Sequence, residues 1–194
     1  TDAGTGQVNI NLSGGASTAL SAARTGQNSI DADHVSIHAD AGATSWATGL
    51  GASDTATNTL RGNDVAVELR GFSAKGLTAG SVGTTTATNL VQGTGENATF
   101  ALNMTATGGV ASGMDAGAGG ENTVTDFSSV TLTGSALGNA YGLYAHDSGA
   151  SNTVNATEAV RVDVTSTSAG AFALGVANAG ENTVSANFVE LSAQ

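Results

Sequence analysis

A short phrase, asparagine followed after one residue by an aliphatic side chain, recurs along the whole chain and limits its fold more than any other feature. The copies are Asn28-Ser29-Ile30, Asn58-Thr59-Leu60, Asn89-Leu90-Val91, Asn122-Thr123-Val124, Asn152-Thr153-Val154 and Asn182-Thr183-Val184. Successive asparagines lie 30, 31, 33, 30 and 30 residues apart. Self-similarity at such a period marks a repeat architecture, whose units bury their apolar faces only by stacking on one another.

Each repeat divides into three alternating stretches. The first carries the asparagine, the aliphatic residue and then a small one, as in Asn28/Ile30/Ala32 and Asn152/Val154/Ala156; the fourth copy departs, with Asp126 at the small position. After a bend comes the second stretch: Val35/Ile37/Ala39, Val65/Val67/Leu69, Phe100/Leu102/Met104, Val130/Leu132/Gly134, Val160/Val162/Val164 and Val189/Leu191/Ala193, preceded by an opening copy at Val8/Ile10/Leu12. The third is Leu20/Ala22, Leu50/Ala52, Leu77/Ala79, Met114/Ala116, Leu143/Ala145 and Leu174/Val176. Alternation with period two buries one face of a strand and wets the other. Strands this short are unstable as isolated hairpins, but stacked coil on coil each finds hydrogen-bond partners above and below.

The expected fold is therefore all-β: a right-handed parallel β-helix, or β-solenoid, of about six and a half coils of ~30 residues with three short strands per coil. Residues 1–194 form one domain, expected to be uncapped at both ends. At an inter-strand spacing of about 4.8 Å the rod is roughly 30 Å long. Neither the Asn-Gly or Asp-Gly turns of hairpin architectures nor a helical apolar period occurs in the sequence.

Composition fits a narrow solenoid and excludes several function classes. Hydrophobic residues make up 40% of the 194 positions but aromatics only 4%, so the core is built mainly of Ala, Val and Leu. The net charge is −11, from sixteen acids against five bases, which speaks against nucleic acid and anionic lipid as partners. Cysteine is absent, which removes disulfides and thiolate metal sites. No stretch reaches the ~18 consecutive apolar residues of a membrane span.

The phrases Gly120-Glu121-Asn122-Thr123-Val124 and Gly180-Glu181-Asn182-Thr183-Val184, with Tyr141-Gly142-Leu143-Tyr144-Ala145 between them, resemble the Ala/Gly/Thr-rich repeats in passenger regions of bacterial autotransporters and related large surface adhesins. The resemblance covers nearly the whole chain and is one of repeat style. It implies an exported β-helical stalk at the bacterial cell surface. The C-terminal membrane β-barrel of a complete autotransporter is missing from this sequence, which suggests a passenger fragment or processed product.

Candidate sites are few. Asn28, Asn58, Asn89, Asn122, Asn152 and Asn182 read as a structural ladder whose buried amides satisfy one another and the turn backbone, rather than as a ligand array. No cofactor or metal is expected: a site at His34, His38 or His146 would need further ligands on neighbouring coils, and His38 has Glu68 and Thr131 as its counterparts there. Glu68 and Asp163 lie coils apart, and Glu158, Arg161 and Asp163 read as a solvated face, so catalysis on polysaccharide is the least favoured of three readings. The alternative to a structural or adhesive stalk is binding of ice or a crystalline polysaccharide through the outward column Ser29, Thr59, Leu90, Thr123, Thr153 and Thr183, or of a glycan through Trp46 or Tyr144, either of which equally fits a cap on the core. The segments joining second and third strands (residues 40–47, 71–76, 105–113 and 165–171) vary most and are expected to project as specificity loops carrying or flanking Trp46, Phe72 and Tyr141. The expected partners are a second copy stacked end to end, a longer parent chain, or a glycan or other host-surface ligand.

Overall fold

A computed structural model describes residues 6–80 and 86–194. It is a right-handed, all-β parallel solenoid of about six turns with a repeat of roughly 30 residues. The strands fall into three columns. The first holds β3 (Gln27–Asp31), β6 (Thr57–Gly62), β9 (Ala87–Gly93), the opening of β12 (Gly120–Ala136), the opening of β14 (Ser151–Ser166) and β16 (Glu181–Ser185). The second holds β1 (Gln7–Ser13), β4 (His34–Asp40), β7 (Asp64–Gly71), β10 (Thr99–Ala106), the later parts of β12 and β14, and β17 (Phe188–Ala193). The third is a separate six-stranded sheet of β2 (Ser17–Ala22), β5 (Trp46–Ser53), β8 (Ser73–Gly80), β11 (Ala111–Ala116), β13 (Ala140–His146) and β15 (Ala171–Ala177).

Every pairing is parallel and joins equivalent positions one repeat apart. Ile30 pairs with Leu60 and Leu60 with Val91. Val35 pairs with Val65, Val65 with Phe100 and Phe100 with Val130. Leu20, Leu50, Leu77, Met114, Leu143 and Leu174 form one row across the third column. The inward residues of all three columns meet in one main core that runs from Leu20 to Val164, with two small alanine clusters beside it, Ala52/Ala79/Ala87 and Ala116/Ala145/Ala150. Side chains in such a row lie about 4.8 Å apart, so each packs against a like neighbour above and below.

Three features differ from the sequence expectation. In two coils the bend between first and second stretches is absorbed into a continuous strand, giving the 17-residue β12 and the 16-residue β14. At Asp126 the fourth coil bulges: the register slips between Val124 and Phe127, and Asp126 takes a left-handed φ of 62°. Its side chain then accepts a hydrogen bond from Gln92 Nε2 at 2.7 Å, outside the core. Phe127 moves into the inward place instead, fully buried beside Phe100 at a ring separation of 5.8 Å. Gly93 below makes this possible, since a Cβ there would stand 2.1 Å from the Asp126 carbonyl oxygen. Finally, the supposed specificity loops are tight corners: β7 ends at Gly71 and β8 begins at Ser73, while only residues 107–110 separate β10 from β11. Trp46, Phe72 and Tyr141 therefore sit at or on the third sheet itself.

That sheet also contains a phase slip. Leu50 and the preceding Gly49 are both buried, as are Gly76 with Leu77, Gly113 with Met114 and Gly142 with Leu143. The glycine absorbs the extra step where no Cβ fits: at Gly142 a Cβ would lie 2.2 Å from Val162 Cγ1 and 2.4 Å from the Ala173 carbonyl oxygen. Overpacking of a well-filled core costs typically ~1–3 kcal/mol. Gly142→Ala is expected to lose about that much in urea denaturation, whereas Gly15→Ala, with open space at its Cβ, should change little.

Candidate functional site

The six asparagines form one column. Asn28 Nδ2 donates to Asn58 Oδ1, Asn58 to Asn89, Asn89 to Asn122, Asn122 to Asn152 and Asn152 to Asn182, each at 2.9 Å. An amide nitrogen has two hydrogens, and at Asn28, Asn58, Asn89, Asn122 and Asn182 the second is also used. It goes to a carbonyl of the third column: Ser21 for Asn28, Gly51 for Asn58 and Thr78 for Asn89, each at 2.8 Å, then Asp115 for Asn122 at 3.1 Å and Gly175 for Asn182 at 2.7 Å. At these rungs the column ties the first strand to the third. Asn58, Asn89, Asn122 and Asn152 are fully buried, and each both accepts and donates within the column. Removing one partner of a buried hydrogen bond costs ~1–3 kcal/mol. Asn122→Ala is expected to fall in or above that range in urea denaturation, because it strands Asn89 Nδ2 and Asn152 Oδ1; Asn28→Ala, at a part-exposed rung, should cost less.

The outer face of the third sheet holds the chain's most varied chemistry. Lys75 Nζ lies 2.6 Å from Asp115 Oδ2, and His146 Nε2 lies 3.1 Å from Asp115 Oδ1. His146 Nδ1 in turn meets Asp147 Oδ2 at 3.1 Å. The Asp115 side chain is only 11% exposed, so these partners hold a nearly buried carboxylate. Beside it runs a row of stacked rings: Phe172 on Tyr141 at 5.4 Å, Tyr141 on Tyr144 at 4.4 Å and Tyr144 on His146 at 4.9 Å. Tyr144 has a neighbour on both ring faces, so it offers a ligand its edge and hydroxyl. Trp46, by contrast, is 67% exposed.

Next to Trp46 lies a groove of about 510 Å³, lined by Trp46, Thr48, Phe72, Ser73, Lys75 and Thr78 with the Gly109–Val110 corner. The repeat pattern did not reveal this grouping. Lys75 and Asp115 stand in adjacent outward rows, since Lys75 pairs with Ser112 and Thr78 with Asp115. Extending the alternation to outward positions of the third strand would have brought them together.

Elsewhere the histidines meet exposed carboxylates, and His34 Nε2 lies 3.6 Å from Asp33 Oδ2. His34 Nδ1 is 3.2 Å from Asp64, and His38 Nδ1 is 3.3 Å from Glu68. The row through His38 continues to Asn103 and Thr133; Thr131 belongs to the row of Ser36. Glu68 and Asp163 share that row three coils apart, through Asn103 and Thr133. Among the described residues no group of three or more His, Cys, Asp or Glu is placed to hold a metal ion, and no helix is long and apolar enough to cross a membrane. The outward row Ser29, Thr59, Leu90, Thr123, Thr153 and Thr183 is in register, but the next row mixes Asp31, Arg61 and Gln92 with Thr125, Asn155 and Ser185.

The fold defines the class as a right-handed parallel β-solenoid. Compared with known proteins, the chain matches no family model, no curated protein and no solved structure. The likeness to autotransporter passengers remains one of repeat style.

Burial raises the Tyr141 phenol above the usual tyrosine value of 10.0, with smaller contributions from Tyr144 and the Asp115 charge. A raised folded-state value means that the protonated phenol is favoured by folding. Its stabilisation is complete below the unfolded value of 10.0 and is lost as pH climbs through the folded one. Tyr141→Phe should flatten this alkaline loss, measured as urea midpoints on either side of pH 10.

Proposed function

We propose that this chain is a structural and adhesive rod of an extracellular bacterial surface protein. The observation that carries this reading is the uninterrupted core and asparagine column beneath small, mostly uncharged outer residues, repeated through coil after coil. Such a molecule holds its two ends a fixed distance apart and presents long flat faces, which is what a stalk requires. An acidic, hydroxyl-rich surface keeps a secreted rod soluble. The repeat style shared with autotransporter passengers supports the same setting.

On this reading the rod catalyses no reaction, and its acids and hydroxyls serve solubility and contact. Contact along the axis is part of the proposal. In the last coil the inward-column residues Leu174, Val176, Val189 and Leu191 are 40%, 56%, 41% and 44% exposed. A further β-coil, from a second copy or a parent chain, would cover them and pair with β15, β16 and β17. Bare strand edges of this kind favour such association.

The test is surface display. Antibody raised against the folded chain should label intact cells of the source organism without permeabilisation, and small-angle scattering of the purified chain should give a rod-like cross-section. Labelling that appears only after lysis overturns the extracellular reading.

A further inference from the structure

We infer that the groove between Trp46 and Phe72 is a binding subsite for a neutral glycan; this gives the adhesive half of the proposed function its site and rests on that half alone. Four observations bear on it.

The first is the aromatic pair. Trp46 opens β5 with 67% of its surface exposed, and no ring stacks on it among the described residues. Phe72, 40% exposed, lies on a bed made for it: a Cβ at Gly108 would stand 2.5 Å from its ring, and one at Gly109 3.0 Å. One ring face is thus packed on a glycine corner while the ring still reaches solvent. Isolated exposed apolar residues need no explanation, but two large rings flanking one groove, with backbone shaped to seat one of them, do.

The second is the polar set between the rings. Thr48, Ser73, Lys75 and Thr78 line the same groove. Ser73 Oγ accepts from the Val110 amide at 3.1 Å, which leaves its own hydrogen to donate. Rings that meet the C–H face of a sugar, beside short hydroxyls that meet its O–H groups, are the complementary chemistry of a pyranose. The third is size. About 510 Å³ lies within the ~300–1,000 Å³ of small-molecule sites. The groove runs from β5 across β8 to the Gly109–Val110 corner that leads into β11, two inter-strand spacings or ~10 Å, enough for a disaccharide length of polymer.

The fourth is charge, which selects among glycans. The groove's one cation is already met by Asp115 at 2.6 Å, and the chain as a whole carries −11. An anionic polysaccharide would find no unpaired positive charge here and a repulsive field around it. A neutral chain of hexoses meets neither obstacle.

Trp46 is the sole tryptophan of the chain, so tryptophan emission, excited selectively over the two tyrosines, reports on this groove. The intact protein should be titrated with three neutral probes, cellohexaose, laminarihexaose and mannohexaose, and with heparin as an anionic one. At least one neutral probe should give a saturable change in emission, and heparin none. By calorimetry Trp46→Ala should bind that probe at least tenfold more weakly, with an unchanged melting temperature because the residue is so exposed; Trp46→Phe should recover part of the loss. Phe72→Ala should also weaken binding.

No saturable response to any neutral probe overturns the proposal, as does response to heparin alone. Equal affinity of wild type and Trp46→Ala for a glycan overturns this subsite while leaving glycan adhesion through another face intact. Capture of a protein partner on this face, with no response to the saccharides, overturns it as well.

Discussion

Parallel pairing in fixed register, each residue bonded to its equivalent one repeat away, is the constraint on which the rest of this molecule depends. Once Val35 lies over Val65 and Val65 over Phe100, side chains can only be arranged in rows. A row must be tolerable to itself: aliphatic on aliphatic in the core, hydroxyl on hydroxyl outside, amide on amide at the corner. An isolated strand of five to eight residues has no such support, and the coil is stable only as part of the stack.

The exceptions show how tightly the rows are set. A carboxylate in the inward row of the fourth coil would be costly to bury. The chain swings Asp126 out through a bulge, brings Phe127 in, and keeps Gly93 beneath so that the displaced backbone has room. The phase slip of the third sheet works by the same device, with Gly49, Gly76, Gly113 and Gly142 taking the extra step. In both cases one residue without a side chain lets a neighbouring row stay in register.

Most of the fold was legible because rows imprint themselves on the sequence. Asn28 and its five equivalents set the period, and the aliphatic alternation after them set the three strands. What failed to show was whatever did not repeat. The bulge at Asp126 occurs once, and its partner Phe127 looks like an ordinary outward residue until the slip is known. The supposed loops after the second strands were inferred from their variability, but variable residues on the outer face of a sheet look the same in sequence as residues of a loop. Lys75, Asp115 and His146 come together from three coils, 40 and 31 residues apart, with no recurring motif to point to them. Trp46 and Tyr144 both stood out as rare aromatics. Only coordinates distinguish the ring left open from the one covered on both faces.

The asparagine column has one more property. Every amide in it donates in the same sense, from Asn28 toward Asn182, so the column is a vector rather than a symmetric seam. Two rods brought together with their axes opposed would meet donor against donor or acceptor against acceptor at this corner. Any lengthening of the rod that preserves the column must therefore run head to tail, and a structure assembled this way inherits a direction that distinguishes its two ends.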